Sequence, residues 1–376
     1  MTKKKITYDL KSPETQRLID EIVHGSFLRE GAMVAFPLCF PGVSIPIIAD
    51  ESFITALDIL PEGIVYGGTS GRRVHVFVAM FHGVTGIVFD MLRLDGFEHC
   101  AAVCCGKKQV AVMVNGKTSG RIFKSTFQPL PFDCIQEWGF ERVPVDEGVE
   151  ICNGEKIVHA ITDPSKEMVI GITEKHIFTY RFSSGDVQVR GEIFGKGRII
   201  LSPSGDCVFG LDDHNALWAF DVKKETIERN KLSLPDGRWY DSPMVWARDT
   251  NNGIVYTVDN DGVLYAITST MGWSQPLGKT HYAPVSTMVV TFDGRLFGTC
   301  GEGMADLFCF HPSSKQMTRI GLAISTIQQR RYGYCFGDAV VGRDGQIYFG
   351  ENDNLGHLWI YFPRINSMHS PNTLLM

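Results

Sequence analysis

Several things are missing from this 376-residue sequence. It has no C-x-x-C pair, so neither a paired-cysteine zinc site nor a thioredoxin-type redox motif can be built from local spacing. No apolar run reaches the roughly 20 residues that a membrane-spanning helix requires. The most apolar early stretch, Val34 to Ile48, is broken by Pro37, Pro41 and Pro46 and reads as buried extended chain. Basic charge is also in short supply: 36 Lys and Arg stand against 42 Asp and Glu, a net charge of −6. That balance leaves no broad positive surface for phosphates or anionic lipid, so neither nucleic acid nor membrane is expected as a partner. The motifs G-x-S-x-G, H-E-x-x-H, the P-loop and a strand-to-helix G-x-G-x-x-G are all absent, which argues against serine-hydrolase, zinc-protease, kinase and dinucleotide chemistry. The start, Met1-Thr2-Lys3-Lys4-Lys5, is followed by polar chain where a secretory signal would be apolar. Ten cysteines lie mostly in apolar runs, as free buried thiols do. A cytoplasmic location is the expectation.

What is present is a repeat. A strand, a polar turn and a second strand recur along the chain, the second strand carrying an aliphatic residue followed by an aromatic one. The pairs are Ile122-Phe123, Ile177-Phe178, Leu217-Trp218, Leu264-Tyr265, Leu307-Phe308 and Leu358-Trp359, with Val74-His75 read into the same frame. Spacings of about 40 to 55 residues suit four-stranded units. A short β-branched or aromatic strand precedes each pair, as in Val169 to Ile172 or Ile347 to Gly350. Turns such as Ser204-Gly205-Asp206 and Asn251-Asn252-Gly253 supply the positive φ at which a hairpin reverses. One helix start is visible, Ser12 as N-cap and Pro13 after it, with Leu18, Ile19, Ile22 and Val23 on one face.

Units that cannot bury both faces alone must stack, and radial stacking leaves only short, protected edges. The chain thus resembles a seven-bladed β-propeller, all-β, with four antiparallel strands per blade and a short N-terminal helix. The expected organisation is an extension over residues 1–30, a propeller over 31–365 in which part of 31–50 closes the ring, and a tail over 366–376. The element Leu217-Trp218-Ala219-Phe220-Asp221 resembles the blade pattern of quinoprotein and sugar-acting propellers.

Naming the strands of a blade A to D from axis to rim puts the A–B and C–D turns on one face and the B–C and D–A loops on the other. The D–A loops concentrate large functional side chains: Arg238, Trp239, Tyr240 and Asp241; His281 and Tyr282; Arg330, Arg331, Tyr332 and Tyr334, with Asp338 following. The B–C turns add Arg72 and His75 together with the acidic groups Glu302 and Glu351. Arginine holds a carboxylate in its fork, and Tyr and Trp stack on sugar rings, so these side chains suit an acidic ligand.

Three functions are therefore open. In the first, the composition is similar to that of propeller-type polysaccharide and oligosaccharide lyases. The resemblance implies β-elimination from a uronic acid, with His281, Tyr282, Tyr332 and Tyr334 as acid and base and with Arg238, Trp239, Tyr240, Arg330, Arg331, Asp338, Arg72 and His75 holding the substrate. The second is a non-catalytic propeller that binds a protein or small ligand on the same face. The third is a hydrolase or lactonase with a divalent ion on Asp241, Glu302, Asp338 and Glu351. No metal-ligating set and no cofactor is assigned from the sequence, a divalent cation being the one candidate. The partner is an acidic oligosaccharide or a protein.

Overall fold

The computed structural model describes residues 9, 11–13, 15, 31–42, 46–83, 85–107, 109–125, 147–193, 195–212, 216–239, 244–268, 272–325 and 331–364. Seven antiparallel sheets of four strands follow one another around a ring. The opening strand β1 (Gly31–Pro37) belongs to the last of them. Blade 1 is β2 (Phe53–Ile59), β3 (Val65–Ser70), β4 (Val74–His82) and β5 (Thr85–Leu94), and blade 2 is β6 (Phe97–Cys105), β7 (Val110–Gly116), β8 (Gly120–Ser125) and β9 (Val149–Glu150). Blade 3 is β10 (Ile157–Thr162), β11 (Met168–Thr173), β12 (His176–Arg181) and β13 (Val187–Glu192), and blade 4 is β14 (Gly195–Leu201), β15 (Cys207–Asp212), β16 (Ala216–Asp221) and β17 (Thr226–Ser233). Blade 5 is β18 (Trp246–Asp249), β19 (Ile254–Val258), β20 (Val263–Thr268) and β21 (Gly278–Lys279), and blade 6 is β22 (Val285–Val290), β23 (Leu296–Cys300), β24 (Asp306–His311) and β25 (Gln316–Leu322). Blade 7 combines β26 (Phe336–Val341), β27 (Ile347–Glu351) and β28 (His357–Pro363) with β1. The chain is a seven-bladed β-propeller.

Closure comes from β1, which pairs antiparallel with β28 from Gly31↔Pro363 to Pro37↔His357. Its period-two alternation serves two interfaces at once: Met33 and Ala35 pack with blade 6, Val34 and Phe36 with blade 1. The core as a whole follows this plan. Buried apolar side chains gather into seven clusters, each between two adjacent blades. The blades are therefore held by face-to-face burial, with no single central core.

The aromatic column explains the repeat in atomic terms. Phe178 pairs with Gly171, Trp218 with Gly210 and Phe308 with Gly298 across the middle strands. In each pair the ring lies where a Cβ on the glycine would stand, at 2.1 to 2.6 Å. In blade 1 the ring in this position is Phe77, over Gly67, and not His75 two residues earlier. His75 has the same strand parity but lies at the end of the strand, among carboxylates, and does a different job. The expected N-terminal helix lies almost wholly outside the described residues; of its start, the Thr15 N–H donates to Ser12 Oγ at 3.1 Å. Among the described residues no helix is long and apolar enough to cross a membrane.

Candidate functional site

Two regions have the shape or surface to act: the axial channel and the face carrying the D–A and B–C loops. A cavity of about 240 Å³ lies on the axis, lined by residues of all seven inner strands, among them Asp58, His159, Arg198, Trp246, Met288 and Asp338. Thr162 ends β10 and Lys166 stands in the turn after it, and both line the cavity, which therefore reaches the A–B side.

The polar side chains in this channel are largely occupied in tying blades together. Asp338 of blade 7 accepts the Leu57 N–H of blade 1 at 2.8 Å, and Asp58 of blade 1 accepts the Cys105 N–H of blade 2 at 2.7 Å. His159 of blade 3 accepts the Ile199 N–H of blade 4 through Nδ1 at 3.2 Å, and Trp246 Nε1 of blade 5 donates to the Arg198 carbonyl at 2.9 Å. Arg198 then reaches across the axis, Nη1 donating to Asp338 Oδ1 at 2.8 Å and Nη2 to the Gly337 carbonyl. Burial and the nearby Arg198 charge push the His159 imidazole down to about 3, so the ring is neutral with its proton on Nε2. Burial likewise raises the Asp58 carboxyl, partly offset by the Lys166 charge and two backbone N–H donors.

On the other face, most of the polar side chains expected to hold a substrate already have partners. Arg238 is paired with Asp261 at 3.2 Å, and Arg331 with buried Glu351 at 3.0 Å. Glu351 also accepts Trp359 Nε1 and the His357 N–H, joining the B–C turn of blade 7 to the loop before β26. Trp239 is buried, its Nε1 donating to the Pro235 carbonyl and its ring packing beside Tyr265 and Trp273. Arg72 and Arg73 both donate to Glu51 Oε1, at 3.0 and 2.8 Å. His75 is enclosed between two carboxylates, Nε2 to Glu51 Oε2 at 2.9 Å and Nδ1 to Asp90 Oδ2 at 2.7 Å. Burial alone would lower its pKa, but the bonds to Asp90 and Glu51 outweigh burial and raise it, as a doubly donating imidazolium requires. Burial also opposes charge on Glu51, yet Arg73, His75 and Arg72 together hold that carboxyl down at about 2.

The expected residues are thus distributed over the molecule. Among those described, Asp338 alone lines the axial cavity. His281 and Tyr282 share the loop before β22, where the Tyr282 ring lies under the Arg319 guanidinium at 5.5 Å. Tyr332 and Tyr334 share the loop before β26, and Tyr332 bridges back to Ile324. Tyr240, Asp241 and Arg330 lie outside the described residues. Sequence reasoning passed over Asp58, His159, Lys166 and Arg198. The available signal was a charged or imidazole side chain inside an otherwise apolar inner strand, as in Phe53–Ile59 and Ile157–Thr162.

A different property unites the loops of blades 6 and 7. Tyr282, Met304, Tyr334 and Leu355 are 44 to 54% exposed although large and apolar. Tyr282 and Tyr334 come from D–A loops, Met304 and Leu355 from B–C loops, so all four belong to one face of two adjacent blades. Backbone bonds tie these loops together: Gly301 N–H to the Pro284 carbonyl, Ala305 N–H to Gly333 and Asn352 N–H to Cys335, at 2.7 to 2.9 Å. Arg331 Nη2 donates to the Leu355 carbonyl at 2.9 Å. Ile48, in the loop before β2, extends the exposed apolar set toward blade 1.

No protein-family profile and no curated sequence matches the chain. Its structure is similar to a streptogramin B lyase, with a TM-score of 0.58 at 10% identity over 89% of this chain and 98% of that one. It is also similar to the WD40 β-propeller domain of Doa1, with a TM-score of 0.54 at 10% identity over 83% of this chain and 93% of that one. One neighbour is named as an enzyme and the other as a WD40 domain, so the likeness carries the fold and leaves function to the site.

Proposed function

We propose that this propeller is a non-catalytic binding module that docks a protein partner on the D–A and B–C loops of blades 6 and 7. The observation that carries this reading is the set Tyr282, Met304, Tyr334 and Leu355, exposed together on loops that are braced from beneath by backbone hydrogen bonds. Leaving such groups in water forgoes about 25 cal/mol for each Å² of apolar surface, and several large apolar side chains exposed on the linked loops of one face are what an interaction surface presents. Its chemistry favours protein over sugar: Tyr and Met are enriched at protein interfaces, while Met and Leu offer no flat face for a pyranose ring. The pairing of Arg238 with Asp261 and of Arg331 with Glu351 also weakens the case for a uronate-binding lyase, which needs an uncompensated cation beside the substrate carboxylate.

The test places a photo-crosslinking amino acid at Met304 and, as a control, at Val189 on the outer strand of blade 3. The partner captured from position 304 is then purified and titrated against the protein. Tyr334→Ala and Tyr282→Ala should each weaken that complex about tenfold or more, the behaviour of anchor residues. Equal capture from both positions, or unchanged affinity in both variants, overturns the reading. So does turnover of a uronate-containing oligosaccharide to an unsaturated product.

A further inference from the structure

On the same face but on the opposite side of the ring, the connection into blade 3 holds a group of three different donor side chains. Cys152, Asn153, Gly154 and Glu155 form a tight turn in which the Glu155 N–H donates to the Cys152 carbonyl at 3.1 Å and Gly154 takes a φ of 76°. Gly120 N–H donates to the Glu155 carbonyl at 2.8 Å and fixes the turn against blade 2. His176 opens β12 directly beside it, with Nδ1 at 2.9 and 3.0 Å from the two Glu155 oxygens. Donor atoms of Cys152, Glu155 and His176 all lie within 4.8 Å of one another, and the three residues are neither sealed in the core nor fully exposed. Among the described residues no other trio of His, Cys, Asp or Glu meets that spacing.

We propose that Cys152, Glu155 and His176 bind a zinc ion, with the fourth position left to water or a further ligand. Zinc bonds of about 2.0 to 2.3 Å in tetrahedral geometry set donor atoms roughly 3.3 to 3.7 Å apart, so the donors, all within 4.8 Å of one another, reach that geometry by side-chain rotation, with the His176 and Glu155 pair, now at 2.9 Å, opening by a few tenths of an ångström. The mixed donor set selects the metal: calcium and magnesium take oxygen ligands, whereas thiolate, imidazole and carboxylate together suit zinc. Thiolate and carboxylate balance the two positive charges. Binding releases the Cys152 thiol proton to solvent, and the neutral His176 ring binds through Nδ1 with its one proton moved to Nε2, so that the metal takes the place of the hydrogen now shared between His176 and Glu155. An outer partner is already in position, since Thr173 Oγ1 donates to Glu155 Oε2 at 2.5 Å and accepts the His176 N–H at 2.9 Å. This site stands apart from the partner surface on blades 6 and 7, and neither depends on the other.

The experiment titrates the full chain, stripped with chelator, with cobalt(II) and then zinc. The expected result is one equivalent of cobalt giving a thiolate-to-cobalt charge-transfer band with intense tetrahedral visible absorption, displaced stoichiometrically by zinc. Cys152→Ser should abolish the band, and His176→Gln and Glu155→Gln should weaken binding at least tenfold. Cys335→Ser, which removes an exposed thiol elsewhere, should leave it unchanged. Thr173→Ala should cost about 10-fold in affinity while keeping the spectrum, as an outer partner does. Weak octahedral absorption alone, or an undiminished band in Cys152→Ser, overturns the proposal. Should Cys152→Ser lose its cooperative melting transition, the folded His176→Gln variant decides the matter: unchanged zinc affinity there overturns it equally.

Discussion

Arg198 of blade 4 crosses the axis of the ring to grip Asp338 of blade 7, Nη1 to Oδ1 at 2.8 Å, while Asp338 Oδ2 holds the Leu57 N–H of blade 1. One carboxylate thus joins three blades, two of them neighbours and one opposite. Both side chains are mostly shielded, 24 and 19% exposed, so the pair is only partly screened by water.

Removing one partner of that pair should be costly. Arg198→Ala is expected to lower stability by about 2 to 4 kcal/mol, since it strands a partly buried carboxylate. Asp338→Asn, which keeps an acceptor for Leu57, should cost less. Urea denaturation of the two single variants and the double variant checks this, and additive losses would show that the two groups are not coupled.

Two histidines should make stability depend on pH in opposite senses. His75 has a raised folded pKa, so its contribution is fully present below the unfolded value of about 6.5 and is lost as pH rises through the folded value. His159 has a depressed one, about 3, so its contribution is present above about 6.5 and is lost as pH falls toward 3. Glu51, held at about 2, adds its own loss only below about 4.3. Urea midpoints measured across this range should show His159→Asn flattening the slope between about 6.5 and 4.3, and His75→Gln flattening the decline on the alkaline side. An unaltered slope in either variant would remove that histidine from the account.

Ring closure rests on β1. Ala35 is buried between blades 6 and 7, and its N–H donates to Ser325 Oγ at 3.2 Å. Ala35→Asp would place a charge there without a counter-ion, and a loss of at least about 3 kcal/mol is expected, with aggregation through the bared edge of β28. Thermal melting and light scattering measure both effects.

The glycine and aromatic pairs give a prediction of a different kind. A methyl group on Gly171 would meet the Phe178 ring at 2.3 Å, so Gly171→Ala should cost about 1 to 3 kcal/mol by driving that ring off its rotamer. Gly154→Ala is expected to cost about 1 kcal/mol or less, since nothing stands near its missing side chain and the penalty comes only from its φ of 76°. Equal losses in the two would contradict the packing account.

The architecture could be read from the sequence because its cause is local and repeated. An alternating strand, a turn with positive φ and an aromatic over a glycine recur often enough for the period to be counted, and identical units that each leave two apolar faces have few ways to stack. The blade 1 aromatic was harder to place: His75 and Phe77 share a strand parity, and only pairing across to Gly67 shows which ring takes the glycine. The candidate sites depended on tertiary structure more completely. Arg238, Arg331 and His75 attract notice as single letters, yet each is committed to a carboxylate supplied by another strand or loop. Asp58, Arg198 and His159 attract none, and meet only because the ring brings inner strands far apart in the chain around one axis. Sequence determined the unit and its number through short-range packing. Charge pairing, the exposed loops of blades 6 and 7, and the meeting of His176 with Cys152 and Glu155 were decided by distances through space, which the closed ring alone sets.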